Sequence, residues 1–218
     1  MWKSKTKILI LSILLLIVIC YAGWRAFLAD KYYRKVDAAY AAWRQPDQEG
    51  TDWSNTVFTS NAPSFYDLKL VGKNFSGANF SHGGFIQTHF ENTKFIHANM
   101  RNSDFAFCVF KWCDLRNVDL RKADLRYVLF WHVDLRGANL EGANLVGASI
   151  WDTNLHGVNL AGAHLHAAWF RKLDLRGADL KGAEMGVMYD SQTKWPKGFD
   201  VNKDDNFLDN RPPVLGGR

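Results

Sequence analysis

Apolar residues recur every five positions along most of this chain, a period that neither a helix nor a strand provides. In "DLRGANLEGANLVGA" (134–148), leucine stands at 135, 140 and 145. A helix repeats its buried face at three and four residues and a strand at two. The backbone here must therefore return one large side chain to the interior once per pentapeptide. The phase extends unbroken in both directions, from Leu70 and Phe75 through Phe110, Phe130 and Leu145 to Leu180 and Met185, giving 24 consecutive units with an apolar centre. Two positions before the centre the residue is small or β-branched, as at Ala78, Thr88, Cys108, Cys113 and Val118, with Leu173 the bulkier exception. Just before the centre stands Asp or Asn in many units, as at Asp114, Asp119, Asp124, Asn139 and Asn144. The pattern predicts a repetitive backbone that turns the apolar centre of every unit inward.

These units resemble the pentapeptide-repeat family, with its pattern A(D/N)LxX, over about residues 66–190, and "YDSQTKWPKGFD" (189–200) is similar to a segment that follows such arrays in bacterial members. The resemblance implies an all-β solenoid: a right-handed quadrilateral β-helix of about six coils with four pentapeptides per coil. At β-sheet spacing such a rod is roughly 29 Å long. A solenoid has two open ends that need caps. The resemblance also implies a function class, because some members mimic duplex DNA and bind type II topoisomerases such as gyrase, protecting or inhibiting them. A bacterial origin rests on the resemblance too.

Upstream, the periodicity changes. Residues 1–7 form a basic leader with Lys3, Lys5 and Lys7, and Ile8–Trp24 is a run of 17 residues without a charge. As a helix that run spans about 26 Å, near the lower limit for crossing a bilayer. Trp2, Tyr21 and Trp24 stand where interfacial aromatics belong. The rival reading, a cleaved leader, has only "CYA" (20–22) as a poor cleavage site, and Cys20 lacks the small neighbour of a lipoprotein site. The favoured reading is a single-pass signal anchor in the bacterial inner membrane. Lysines before the span and Arg25, Lys31, Arg34 and Lys35 after it nearly balance. The short basic leader places the repeats on the extracytoplasmic side. Residues 25–45 carry Phe27, Leu28, Tyr32, Val36, Tyr40 and Trp43 at spacings of an amphipathic helix. Residues 46–65 read as linker and N-terminal cap, with Phe58 or Phe65 closing the first coil. Residues 66–188 form the β-helix, 189–204 a C-terminal cap with Trp195, Pro196 and Phe199, and 205–218 a flexible tail.

Charge argues against a DNA mimic. Net charge is +5, yet residues 63–190 hold 14 Lys and Arg against 13 Asp and Glu. A strongly negative surface is absent from this sequence, and so is the continuous basic stripe of a nucleic-acid binder. Three cysteines make no disulfide framework. Cys108 and Cys113 take the small inward slot, as buried small side chains or, alternatively, a redox pair. With four units per coil, residues 20 apart stack. Glu184 then falls on His164 beside His166, a weak candidate metal cluster set against ordinary surface residues. No catalytic triad, phosphate loop or nucleotide fingerprint occurs, so neither an enzyme nor a cofactor site is predicted. The columns Asp114, Asp134, Asp174 and Arg116, Arg136, Arg176 alternate in sign and can form surface ladders, the other reading being an ordinary solvated face.

One face stands apart. Trp131 and Trp151 share an outward column, with Val109, Trp112, Leu129 and Trp169 nearby and Phe107 and Tyr127 at the adjoining corner. Large apolar patches mark contact surfaces, and Trp and Tyr are favoured anchors. Three occupants fit: the chain's own helix 25–45, a protein partner or second copy, and lipid headgroups. The sequence thus reads as a membrane-anchored, non-enzymatic interaction scaffold presenting an aromatic face. The topoisomerase-binding DNA mimic is the alternative.

Overall fold

In the computed structural model of the chain, residues 52–58 and 66–201 are described, together with the backbone of 207–208. The basic leader, the apolar run 8–24, the segment 25–45 and Phe65 lie outside the described residues. Among those described, no helix is long and apolar enough to cross a membrane.

The pentapeptide period becomes a parallel β-solenoid. Its strands are β1 (Lys69–Val71), β2 (His89–Glu91), β3 (Val109–Lys111), β4 (Leu129–Trp131), β5 (Ser149–Trp151), β6 (Trp169–Arg171), β7 (Met188–Tyr189) and β8 (Phe207–Leu208). They form one parallel sheet in chain order. From β1 to β6 each residue pairs with the one 20 positions on, as in Phe90↔Phe110↔Phe130↔Ile150. The other three sides are single bridges with the same 20-residue step, such as Asp114↔Asp134, Asp119↔Asn139 and Asp124↔Asn144. Four pentapeptides therefore make each coil, and every outward position stacks on its equivalent one turn away. At the C-terminal end the step shortens to 19, with Trp169 paired to Met188 and Met188 to Phe207.

Corners follow a single rule. Every fifth residue from Asp67 to Gly182, two after each centre, has φ between 49° and 73°. Many of these corners close with a bond from the amide three residues after the centre, as from Ala78 N to Phe75 O at 3.0 Å. A positive φ at the third residue with that bond is a type II turn. The Asp or Asn before each centre now has a physical role. Its side-chain oxygen accepts the amide N–H two residues on, for instance Asp114 from Arg116, Asn139 from Glu141 and Asn154 from His156. This local bond ties down an amide at each corner.

Inside, the centres and small positions are buried almost throughout, as Phe95, Leu120, Leu145, Ala143 and Val128 show. The first coils are filled by phenylalanines stacked along the axis: Phe75 on Phe95, Phe85 on Phe105 and Phe90 on Phe110, with centroids 4.7–5.2 Å apart. Phe58 lies on Phe80 at 4.6 Å, and Asp52 and Val57 bridge to Asn74 and Asn79 at the N-terminal end. At the other end Trp195 packs on Phe170, Tyr189 and Phe199. There the buried Asp190 carboxylate accepts the Lys172 and Gln192 amides and the Thr193 hydroxyl.

Candidate functional site

The aromatic positions converge on the sheet face and its two edges. Val109 and Leu129 are register partners in one outward column, and Trp131 and Trp151 in the other. Trp169 continues the first column in β6. All five are partly buried. The exposed members are the corner residues Phe107 at 50%, Trp112 at 49% and Tyr127 at 54%. The corner residues thus stand out from the face, while Trp131 and Trp151 are partly covered. Strand side chains stand between neighbours in their column, whereas corner side chains project from the edges.

Ring packing joins the two edges to the sheet. Phe107 stacks on Tyr127 at 4.9 Å with 15° between planes. Tyr127 in turn lies over Gly147, so closely that a β-carbon there would sit 2.5 Å from its ring. On the opposite edge Trp112 meets Trp131 at 5.7 Å and the His132 imidazole at 6.3 Å. Lys111 holds its ammonium 5.1 Å from the Trp131 ring, a cation–π contact. Arg171 lies 6.0 Å from the Trp169 ring. The result is an aromatic face on the parallel sheet, with Lys111 and Arg171 at either end of the Trp131–Trp151 column.

Backbone geometry gives this face its meaning. Phe107, Trp112 and Tyr127 have φ of 59°, 52° and 57°. A bulky side chain in the left-handed region costs about 1–2 kcal/mol, which glycine avoids. Glycine fills the same corner at 137, 142, 147, 157, 162, 177 and 182. Their common phase in the sequence, two after each centre, marks the aromatics at 107, 112 and 127 as occupants of costly positions.

Elsewhere the surface neutralises itself. The sign-alternating columns are paired mainly within one unit: Arg116 donates to both oxygens of Asp114 at 2.8 and 2.7 Å, and Arg121, Arg126, Arg136 and Arg176 repeat the fork on Asp119, Asp124, Asp134 and Asp174. The shorter reach, two residues within one unit, wins; between coils Arg116 stays 3.9 Å from Asp134. The Arg176 fork holds the Asp174 carboxyl down at about 2.

Glu184 lies beside His164, with Oε2 2.5 Å from Nδ1, and His166 Nδ1 is 3.3 Å from the Glu184 carbonyl oxygen. The described residues contain no group of three or more side chains arranged to hold a metal ion. Cys108 and Cys113 are buried free thiols, and burial pushes both up, Cys113 to about 12. Their thiols lie against the Phe85 and Phe90 carbonyl oxygens, respectively.

A parallel β-solenoid with four pentapeptides per coil defines the class. Residues 87–160 match the family model of a pentapeptide repeat region, and residues 159–186 match that of pentapeptide repeats in eight copies. This array belongs to the pentapeptide-repeat family, and neither matched model describes a catalytic family. Two trypsin-treated forms of QnrB1, a plasmid-mediated fluoroquinolone resistance protein, share the fold with a TM-score of 0.62 each. One is 19% identical over 75% of this chain and 93% of its own, the other 20% over 73% and 89%. A pentapeptide repeat protein from the thylakoid lumen of Arabidopsis thaliana is 28% identical over 51% of this chain and 72% of its own, with a TM-score of 0.37. No curated protein matches the chain.

Proposed function

We propose that this protein is a membrane-tethered, non-enzymatic scaffold that binds a protein partner through the aromatic face of its solenoid. The observation that carries the reading is the set Phe107, Trp112 and Tyr127: three exposed aromatic side chains held at corners where glycine is unstrained. A folding requirement alone favours glycine there, whereas a contact surface needs the rings. Supporting the tether is the sequence itself, with the uncharged run 8–24 behind three lysines. On this reading the anchor sits in the inner membrane and the solenoid outside the cytoplasm.

A photoreactive side chain at Tyr127 in cells tests the contact. Adducts are expected from position 127 and not from the exposed Glu141 on another side. Equal yields, or none at 127, defeat the reading. A reporter active only outside the cytoplasm, fused after Arg218, is expected to be active. Its silence beside an active cytoplasmic reporter reverses the orientation.

The topoisomerase reading draws on the family and on the solenoid shared with QnrB1. Against it stands the Asp–Arg pairing, which cancels charge where a DNA mimic needs a negative surface.

A further inference from the structure

The face carries its own complement. In the outward column of β2 to β6 the residues are Glu91, Lys111, Trp131, Trp151 and Arg171, one per coil. Glu91 and Arg171 stand two coils on either side of Trp131 and are opposite in charge. The parallel column, His89, Val109, Leu129, Ser149 and Trp169, is centred on Leu129, the register partner of Val109 and Ser149.

We infer that the aromatic face binds a second copy of this chain, the two solenoids antiparallel about a two-fold axis along β4. This rests on the face being a contact surface and names its partner. Such an axis maps each column onto itself in reverse. Trp131 and Leu129 then meet their own equivalents at the centre. Lys111 faces the second copy's Trp151, a cation over an indole. Phe107 faces the second copy's corner at Gly147, a large ring opposite the smallest residue, and Val109 faces Ser149. Glu91 meets Arg171 twice, once at each end of the patch. Within one chain Glu91 lies 3.9 Å from the Lys69 ammonium and Arg171 6.0 Å from the Trp169 ring, and both are partly exposed. An isologous interface of this kind closes on itself as a dimer. A parallel pairing about the solenoid axis instead sets Glu91 against His89 and Arg171 against Trp169, and the opposite charges never meet.

The test uses sedimentation equilibrium of the full chain in detergent. Wild type is expected to be dimeric. Glu91→Arg and Arg171→Glu each place like charges at both ends of the patch, and each is expected to weaken the dimer about tenfold or more. Mixing the two variants restores both opposite-charge pairs, so a mixed dimer at near wild-type affinity supports the antiparallel register. Weakening by both variants without recovery on mixing overturns that register. A dimer indifferent to both changes overturns it too. A monomeric wild type overturns self-pairing altogether, while Tyr127 adducts with a different protein leave the contact-face reading standing. Trp131→Asp, checked for folding by circular dichroism, is expected to abolish association in every combination.

Discussion

The two halves of the solenoid solve the same coil in different materials. From His82 to His132 all eleven corner residues carry side chains, and the core beside them is mostly phenylalanine. From Gly137 to Gly182 seven of ten corners are glycine, and the core is mostly leucine with alanine in the small slots. Backbone conformation is the same throughout, with φ in the left-handed region at every corner. The difference shows that glycine is the unstrained solution and not a requirement. Asn and Asp tolerate the left-handed region better than most residues, and Asn92, Asn102 and Asn117 take it in the first half. Phe107, Trp112 and Tyr127 have no such excuse. Stacked rings inside offset some of that corner strain, since each aromatic pair adds about 0.5–1.5 kcal/mol beyond its buried area.

The largest break in the comparison comes from the core. Phe95 contacts the rings of Phe75, Phe80, Phe90 and Phe110 and is fully buried. Phe95→Ala is expected to cost about 3–5 kcal/mol, against about 2–3 for Leu160→Ala in the second half. Urea denaturation followed by fluorescence measures both. Equal losses would mean that the ring stack adds nothing over a leucine core.

Next comes the junction between the halves. Gly147→Ala brings a β-carbon to 2.5 Å from the Tyr127 ring and takes alanine to φ +68°, whereas Gly162 at φ +64° has open space around it. Gly162→Ala should cost about 1–2 kcal/mol from the backbone alone. Gly147→Ala should cost more, and Tyr127→Ala in the same chain should bring it back to the Gly162 value. A double-mutant cycle on thermal melts reads the coupling. Independence of the two sites would remove Tyr127 from the top of Gly147.

Much of this was legible in the sequence because a solenoid is nearly one-dimensional. The period of five returned one apolar centre per unit to the interior, and the four-unit coil that the family resemblance implies stacked Trp131 on Trp151 and Glu184 on His164. Side-chain reach was not legible. Stacking sets a column of Asp beside a column of Arg but does not say which carboxylate each guanidinium reaches, and the next coil is one candidate. The guanidinium instead folds back on the carboxylate two residues earlier, where a planar fork makes two bonds without bridging to the next coil. Degree of exposure was not legible from phase either. Trp131 and Phe107 are both outward by phase, but strand packing covers part of the first and the corner lifts the second.

A sharper comparison substitutes one half's corner into the other. Phe107→Gly gives up the stack on Tyr127, worth about 0.5–1.5 kcal/mol, and relieves a backbone cost of about 1–2 kcal/mol. Stability is therefore expected to stay within about 1 kcal/mol of wild type while association through the face is lost. Scanning calorimetry and sedimentation on the same sample separate the two effects. Strong destabilisation with association intact would show that the aromatic corner serves the fold and not a contact.

The smallest expected effect concerns what the halves share, the acidic residue before each centre. Asp174 accepts the Arg176 amide and its guanidinium. An asparagine can still accept the amide, so Asp174→Asn should lose only the exposed ion pair, within about 0.5 kcal/mol. Asp174→Ala leaves the corner amide without its local acceptor and should cost about 1 kcal/mol. The sign of the pH dependence follows from the carboxyl held at about 2 by the Arg176 fork. Because its folded value lies below the unfolded one of about 3.9, the charged form favours the native state. That contribution is complete above the unfolded value and disappears as pH falls toward 2. Asp174→Asn should therefore flatten stability against pH between about 4 and 2, where wild type declines. A variant that declines as steeply as wild type would move the acid sensitivity to other carboxylates, with Asp119, Asp124 and Asp134 next: partial burial raises each, but the bonds to Arg121, Arg126 and Arg136 together hold each below its ordinary range.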